Sequence, residues 1–418
     1  MTRESIDANP DDLGAALRGF GLATVGGRYS VAFNADQVTD GESNVHQHSE
    51  PSSRSSLSSG HGPDAAYEPG LSPGPGSAVD GDVIHDSASF TENTSVDEQY
   101  GLGLTYYRNL ATPQGDEAAF RWVQSAAEKG VVQAQYDLAL MFANGQGTDE
   151  DQDRGQKWLT VAANQHYAPA ENAMGLRFLH GLGVPRDEKI AVGWFKLAAD
   201  HGHPDGQFNI AESYRRGRGV VRNPKAASNW YIIAANQNHA DAQYRLATMY
   251  GDGEGVTIDS KAAVRWMTRA AEQGHARAQA GLGAMIADGR GGATDFEAAA
   301  KWYALAATQG LAQAQHDLGM CYSKGHGVVQ SYPAAAKWYK LAADQGYATA
   351  QYNLGLLYYK GHGGAQDFAR AYMWWALCAS HGYKIAATGR DLVRAKMSNA
   401  QVETAQRLAR EWMSKHYK

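Results

Sequence analysis

The chain has 418 residues, 43% of which are hydrophobic, and its formal net charge is −6. This acidic balance excludes a general nucleic-acid binder, because such a protein carries a strong basic excess on one face. Cys321 and Cys378 are the only cysteines, so the fold depends on packing instead of disulfides and suits a reducing compartment.

The sequence predicts a cytoplasmic protein without a membrane span. Its first thirty residues contain no apolar run as long as a signal peptide needs, and no run elsewhere reaches the length of a membrane span. Glu4, Asp11 and Asp12 also disagree with an organelle transit peptide, which is poor in acids. Export by a route that does not read a signal peptide stays open, as does a role of the N-terminal segment in export or docking.

Residues 1–95 differ from the rest of the chain. They contain 14 Asp and Glu against 4 Arg and no Lys, a formal charge of −10 that leaves +4 for the remainder. From Gly41 to Ser95 they are rich in Ser, Gly and Pro, and such a segment buries too little apolar surface to offset its ordering entropy. We expect a disordered acidic tail. Residues 70–74 spell a nucleophile elbow, but they lack the strand–turn–helix context that this catalytic motif requires.

Residues 96–384 contain one unit copied at a fixed period. Tryptophans recur every 36 residues, and eight of the ten follow this register. A period of this length predicts a solenoid, in which each unit buries its apolar face only against its neighbours. We assign the periodic tryptophans to the structural core of the repeats. They are Trp122, Trp158, Trp194, Trp230, Trp266, Trp302, Trp338 and Trp374.

Each repeat is predicted to contain two helices. The first carries apolar residues four apart, as at Leu246 and Tyr250, and these form one stripe. It ends in a Gly-x-Gly sequence, as at residues 217–219, because glycine adopts left-handed φ without strain. The second helix starts at a capping residue or an N1 proline, as at Asn223 and Pro224. It places its tryptophan and an alanine pair on the core face.

Residues 385–418 lie beyond the regular pattern. Ser398 to Gln401 read as a capping box, which opens a last helix with Val402, Ala405 and Trp412 on one side. A solenoid needs such a terminal element, since the last repeat would otherwise expose its apolar face to water. We therefore predict C-terminal capping helices.

Two segments carry a family resemblance. They are Ala-Gln-Tyr-Asn-Leu-Gly-Leu-Leu-Tyr-Tyr-Lys-Gly-His-Gly at 350–363 and Ala-Tyr-Met-Trp-Trp-Ala-Leu-Cys-Ala-Ser-His-Gly at 371–382, and their pattern recurs in register through eight repeats. This pattern resembles the Sel1-like repeat family, relatives of the tetratricopeptide repeats, and residues 386–413 resemble the end of its bacterial multi-repeat members. The resemblance implies an all-α, right-handed superhelical solenoid of about eight 36-residue helix-turn-helix repeats. It also implies a role as adaptor or scaffold for protein complexes.

Two patterns invite a metal hypothesis, and both favour a structural interpretation. Residues 149–153 resemble the start of a calcium loop, but its sixth position is Arg154 and its twelfth is Thr160. Histidines recur in successive repeats, yet equivalent residues of packed helices lie at least about 8 to 10 Å apart, too far to share one zinc ion. We expect no metal and no cofactor. The recurring histidines are His203, His239 and His275, and His326 and His362.

Residues 215–225 put five cationic side chains into one helix–loop–helix junction. They form either a solvated charge cluster or a dock for an acidic peptide or the chain's own acidic tail, since arginine makes a two-pronged contact with carboxylates. Two adjacent positions beside the stripe of the first helices vary, and we predict that they line a protein-binding groove. The alternative is that their aromatic members pack between neighbouring repeats. The predicted groove residues are Tyr136, Phe208, Arg215, Arg216, Tyr244, Arg245, His316 and Tyr352.

These patterns favour a non-catalytic interaction scaffold or adaptor that binds partner proteins or peptides, acidic ones among them, in the superhelical groove. No nucleic-acid partner is expected. Two alternatives stay open: a cell-wall or β-lactam-type hydrolase, and a secreted host-interaction factor built on the same repeats. The family members linked to penicillin hydrolysis carry regular cysteine pairs, which this chain lacks.

Overall fold

A computed structural model describes residues 95–96, 100–104 and 113–416. The chain divides into two units, residues 1–84 and 85–418, and all described residues belong to the second. The predicted tail, residues 1–95, therefore lies outside the described part except at its last residue. Its disorder and the domain boundaries near residues 95 and 384 stay predictions.

Every regular element in the described part is an α-helix, and residues 100–104 are helical too. We call the even-numbered helices from α2 to α16 the A helices and the odd-numbered helices from α1 to α15 the B helices. The helices are α1 (Pro113–Glu128), α2 (Val132–Asn144), α3 (Gln152–Asn164), α4 (Ala168–His180), α5 (Glu188–Asp200), α6 (Pro204–Arg216), α7 (Pro224–Asn236), α8 (Ala240–Asp252), α9 (Ser260–Glu272), α10 (Ala276–Ala287), α11 (Phe296–Thr308), α12 (Ala312–Lys324), α13 (Tyr332–Asp344), α14 (Ala348–Lys360), α15 (Phe368–Ser380), α16 (Lys384–Arg394) and α17 (Asn399–His416).

Successive helices pack against one another along the whole array. Consecutive helices from α1 to α16 contact one another, α17 contacts α15, and α4 also contacts α6, the next A helix. A repeat therefore packs on the repeats before and after it, which is the arrangement of a solenoid. The predicted α/α solenoid fold is confirmed.

The two glycines that follow the A helices α2 to α14 are needed for different physical reasons. Gly217 ends α6 in the left-handed conformation with φ 70°, and its N–H donates to the carbonyl of Ser213. Gly219 has φ +68°, and a Cβ built on it would lie 2.1 Å from the carbonyl oxygen of Glu188 in the preceding B helix. The Gly-x-Gly sequence thus encodes a helix end and also a contact between repeats that admits no side chain.

The B helices begin at side-chain caps. Asp187 and Asp259 each accept hydrogen bonds from two backbone N–H groups in the first turn of their helices, α5 and α9. Asn223 accepts from the N–H of Ala226 over 3.0 Å, and Pro224 follows it at the first position of α7. These caps satisfy N–H groups that have no partner within the helix, so the predicted helix starts are confirmed.

Small residues surround one large residue at the centre of each repeat. In α7, Ala227, Ala234 and Ala235 are fully buried together with Tyr231. The periodic tryptophans stand one position before this large residue. Trp122 and Trp374, near the ends of the array, are 5% and 4% exposed, whereas the six tryptophans between them are half-buried.

The half-buried tryptophans pack between repeats. Trp230 contacts the core cluster of its own repeat around Tyr231 and also the cluster of the preceding repeat around Phe195. Trp266 likewise lies against the clusters of two consecutive repeats. The deepest position of a repeat therefore belongs to the residue after the tryptophan, and the tryptophan joins that repeat to its neighbour.

Helix α17 covers the end of the array. Its capping box is formed as predicted, because the Ser398 N–H donates to Gln401 Oε1 over 2.9 Å and the Gln401 N–H donates to Ser398 Oγ over 3.3 Å. Trp412 packs edge-to-face on Trp374, with ring centroids 5.9 Å apart, and its Nε1–H donates to Asp344 over 3.1 Å. The apolar face of the last repeat is thereby covered.

Candidate functional site

Three arginines from two consecutive A helices converge on one carboxylate. Glu212 of α6 accepts from Arg216 Nε over 2.6 Å and from Arg215 over 3.1 Å, and Nε of Arg245 in α8 lies 3.2 Å from its Oε1. The Tyr231 hydroxyl donates to the same carboxylate. The four charged side chains are between 15% and 24% exposed. We call these five residues the arginine cluster.

The arginine cluster carries an excess of positive charge. Burial raises the pKa of Glu212, but the hydrogen bond from Arg215 and the charge of Arg245 outweigh it and lower that pKa to about 2. Burial lowers the pKa of Arg215, but its contact with Glu212 outweighs that effect and raises it. Three guanidinium groups therefore surround the carboxylate of Glu212. A guanidinium group donates parallel N–H bonds to carboxylates, so acidic groups are the partners that this chemistry favours.

The aromatic members of the predicted groove pack on other aromatic residues of their own repeats. Phe208 stacks on His239 with ring centroids 4.9 Å apart, and Tyr244 stacks on His275 at 4.8 Å. In both pairs the second residue directly precedes the next A helix. Tyr136, His316 and Tyr352 contact Tyr167, Tyr347 and Trp375 within their own A–B units, in edge-to-face or tilted arrangements. These rings are therefore held by contacts within single A–B units, and their assignment to a binding groove stays a prediction.

The predicted groove residues fall into two groups in space. Phe208, Arg215 and Arg216 of α6 and Tyr244 and Arg245 of α8 belong to adjacent A helices and lie in or beside the arginine cluster. The other three lie in other repeats. His316 is 6% exposed and its Nε2 accepts a hydrogen bond of 3.0 Å from Asn353 Nδ2, so it offers little surface to a partner. Tyr136 and Tyr352 are half-buried.

The recurring loop histidines cap A helices. The Nδ1 atoms of His203, His239 and His275 accept from backbone N–H groups at the start of α6, α8 and α10. Two of these histidines also use Nε2, which lies 3.0 Å from Asp205 in one and 3.1 Å from Asp241 in the other. The second set has a packing role, since His326 and His362 stack on Phe296 and Tyr332.

The remaining motifs also have structural roles where the structure describes them. Asp151, in the acidic loop that resembles a calcium site, caps α3 by accepting from the N–H of Arg154 over 2.9 Å. Cys321 and Cys378 are free thiols, and burial raises the pKa of each to about 11, which disfavours the reactive thiolate. Residues 70–74, with the elbow sequence, lie outside the described residues.

Sequence reasoning missed Glu212, the centre of the arginine cluster. A signal for it exists in the repeat register, because the positions equivalent to 212 hold Leu140 and Leu176 in the two preceding repeats and Thr248 in the next. An acid at a position that is uncharged in its neighbours marks a local function or a local ion pair. A second missed group, His166, Glu171 and His201, comes together near the start of α4.

A family model for the Sel1 repeat matches eight consecutive segments: 99–131, 132–167, 168–203, 204–239, 240–275, 276–311, 312–347 and 348–383. The chain belongs to the Sel1 repeat family. From residue 132 onward, every matched segment begins at the first residue of an A helix, so the family's unit coincides with one A–B pair.

One solved structure of a similar protein supports the fold, and a second is similar in sequence. A Sel1 repeat protein from Oxalobacter formigenes is 33% identical, with 70% of this chain and 85% of that chain covered and a TM-score of 0.54. The protein c5321, a protective antigen present in uropathogenic Escherichia coli strains, is 27% identical, with 77% and 84% covered and a TM-score of 0.39. No curated protein matches this chain.

Membership of the Sel1 repeat family has a general functional implication. Sel1 repeat proteins are solenoids of the tetratricopeptide type, are generally non-enzymatic and typically act as scaffolds for protein interactions. Among the described residues, no helix combines the length and the apolar character that a membrane crossing requires.

Proposed function

We propose that this chain is a non-catalytic scaffold or adaptor that binds a partner protein on the face formed by its A helices, with the arginine cluster as the main contact. The observation that carries the proposal is the convergence of Arg215, Arg216 and Arg245 on the single carboxylate of Glu212. The partner segment that fits this chemistry is acidic.

The physical argument is preorganisation. Glu212 holds the three guanidinium groups in place before a ligand arrives, so a partner carboxylate meets side chains that have already lost much of their rotamer freedom. The guanidinium group presents parallel N–H donors that match a carboxylate. Because the cluster is only partly exposed, its contacts with a ligand are less screened by water than those of a freely exposed arginine.

Two stacked aromatic pairs lie beside the arginine cluster. Phe208 stacks on His239 and Tyr244 stacks on His275, so the positions of these rings are fixed by contacts within their repeats. Arg245 lies over the Tyr244 ring, 5.7 Å from its centroid. Aromatic and arginine side chains dominate binding hot spots, at about 2 kcal/mol or more each. Their combination on α6 and α8 makes this the strongest candidate contact surface in the described part of the chain.

The test uses the full chain and synthetic peptides. Peptides rich in Asp and Glu, and matched peptides in which Asn and Gln replace the acids, are titrated against the chain and two double variants. Arg216→Glu with Arg245→Glu reverses two charges in the cluster. Lys261→Glu with Arg265→Glu makes the same charge change on exposed residues of α9.

We expect the chain to bind the acidic peptides better than the neutral ones. The cluster variant should lose this preference by about tenfold or more, since each lost arginine contact weakens binding by about 2 kcal/mol. The α9 variant should keep it, with an unchanged circular-dichroism signal in both variants. An equal loss in the two variants would indicate non-specific electrostatics and would contradict the proposal.

A further inference from the structure

Three positions in and just before the repeat of α4 and α5 differ from most other repeats, and the last repeat shares one of these differences through His381. Glu171 stands where the A helices α2, α6, α8, α10, α12 and α14 have glutamine. His201, directly after α5, stands where five other repeats have glutamine. His166, in the turn before α4, stands where six repeats have glycine and one has Asn238.

The three departures meet in space. Glu171 is 0% exposed, and its Oε2 lies 2.7 Å from Nδ1 of His201. Its Oε1 lies 3.5 Å from Nδ1 of His166, and the two imidazole rings are 5.2 Å apart. Each residue offers one possible ligand atom, and these three atoms lie within 4.8 Å of one another.

In five other repeats two glutamines form a hydrogen-bonded pair, whereas Gln351, in the repeat that has His381, also has a buried Oε1 without a hydrogen-bond partner. Gln243, for example, donates its amide to the carbonyl of Ala235 over 3.0 Å and accepts from Gln273 over 2.6 Å. Glu171 has no N–H to donate, so it cannot make the first of these bonds. Its Oε1 is buried and has no hydrogen-bond partner. A buried oxygen left in this state is costly, and a bound cation would satisfy it.

His166 has a backbone conformation that is unfavourable for a residue other than glycine. Its φ of 61° lies in the left-handed region, which the equivalent glycines occupy freely and which most other residues avoid. The imidazole is 70% exposed, so it can rotate towards Glu171. His201 is 37% exposed, which leaves the cluster open to solvent on one side.

We propose that His166, Glu171 and His201 bind a divalent transition-metal ion of the Zn²⁺ class. Two imidazole nitrogens and one carboxylate oxygen form a ligand set that such ions prefer, and calcium or magnesium would require more oxygen ligands. Ligand atoms at about 2.0 to 2.2 Å from a tetrahedral ion lie about 3.3 to 3.6 Å apart, so ligand atoms that now lie within 4.8 Å of one another move closer by up to about 1 Å on binding. The fourth position stays open to water.

The ion would tie together three parts of the solenoid. His166 belongs to the turn after α3, Glu171 to the first turns of α4, and His201 to the end of α5. In five other repeats the paired glutamines connect equivalent elements without a metal. In this repeat the glutamine latch is replaced by the 2.7 Å hydrogen bond between Glu171 and His201, and a bound ion would take the place of that bond and add His166 to the connection.

The test compares the untagged full chain with a variant that restores the latch. Glu171→Gln with His201→Gln recreates the pair found at Gln243 and Gln273, so the fold should be kept, as circular dichroism will verify. After removal of metals with a chelator, Co²⁺ is titrated and its visible absorption recorded, followed by displacement with Zn²⁺. The full chain should bind about one more equivalent of Co²⁺ in a strongly absorbing low-symmetry site than the variant does.

A reciprocal variant tests for a gain of metal binding, which damage to the fold cannot produce. Asn238→His, Gln243→Glu and Gln273→His transfer the three residues to the repeat of α8 and α9, where Asn238 already has φ 62°. This variant should bind about one additional equivalent of Co²⁺. Equal binding by the full chain and by the variant with Glu171→Gln and His201→Gln would overturn the proposal, because any bound cobalt would then be held by other residues.

Discussion

The side-chain amide of Gln273 donates to the side-chain oxygen of Gln243 over 2.6 Å, and the amide of Gln243 donates in turn to the carbonyl of Ala235 over 3.0 Å. Gln243 is 0% exposed. The relay joins the end of one B helix to the end of the next through an A helix between them. It recurs in the pairs Gln165–Gln135, Gln237–Gln207, Gln309–Gln279 and Gln345–Gln315.

The relay should contribute measurably to stability. Gln243→Leu removes both hydrogen bonds of a fully buried side chain, and we expect a loss of about 1 to 3 kcal/mol in the free energy of unfolding. The control is Gln313→Leu on α12, where the side chain is exposed and the effect should stay within about 0.5 kcal/mol. Urea unfolding followed by circular dichroism measures both. Equal midpoints for the two variants would show that the relay adds nothing.

Two glycine-to-alanine substitutions should change the free energy of unfolding in opposite directions. Gly219→Ala should destabilise by about 2 kcal/mol or more, because its Cβ would meet the Glu188 carbonyl at 2.1 Å and its φ is +68°. Gly193, within α5, has open space around its Cβ position, so Gly193→Ala should stabilise by about 0.5 to 1 kcal/mol. Thermal unfolding compares them. A neutral Gly219→Ala would contradict the close approach between repeats.

The periodic tryptophans should stabilise the contact between repeats. Trp230→Ala removes packing against two core clusters, and we expect a cost somewhat below the about 3 to 5 kcal/mol of a fully buried tryptophan, because this one is half-buried. Ile233→Ala on the same helix, at a side chain that is 43% exposed, is the control. An unchanged unfolding midpoint for Trp230→Ala would instead assign the tryptophans to a surface.

The stability of the folded chain should depend on pH through the ionisation of Glu212. Its pKa is lowered from 4.5 to about 2 in the folded chain, so its stabilisation is fully present above about pH 4.5 and is lost as the pH falls towards 2. The shift corresponds to roughly 3 kcal/mol. Glu212→Gln should therefore be less stable than the original chain at neutral pH, and the difference should shrink in acid. Urea midpoints at a series of pH values test this, and a pH-independent difference would contradict the ion cluster.

The sequence predicts the solenoid well because each signal is local and repeated. The 36-residue tryptophan register, the Gly217 helix end and the Ser398–Gln401 capping box each depend on neighbours in the chain. It could not decide that Tyr231 lies deeper than Trp230, since consecutive helical positions are separated by only about 100° and both are aromatic. Periodicity identifies the buried face without ranking its members.

The candidate sites depend on contacts between residues far apart in the chain. Arg245 reaches Glu212 from the next A helix, and His201 reaches Glu171 from the end of the following B helix. Neither pair has a recognisable local spacing. Both nevertheless leave a trace in the repeat register, as charged or imidazole side chains at positions that hold leucine or glutamine elsewhere.

The most direct measurement of partner binding on the A-helix face is site-specific photo-crosslinking. A photoreactive phenylalanine analogue replaces Tyr244 on α8 in one sample and Ile233, an exposed residue of α7, in another. The chain is irradiated in cells and crosslinked proteins are identified by mass spectrometry. We predict a discrete crosslinked partner from position 244, lost with Arg216→Glu and Arg245→Glu, and none from position 233. The same partner captured only from position 233 would contradict the account.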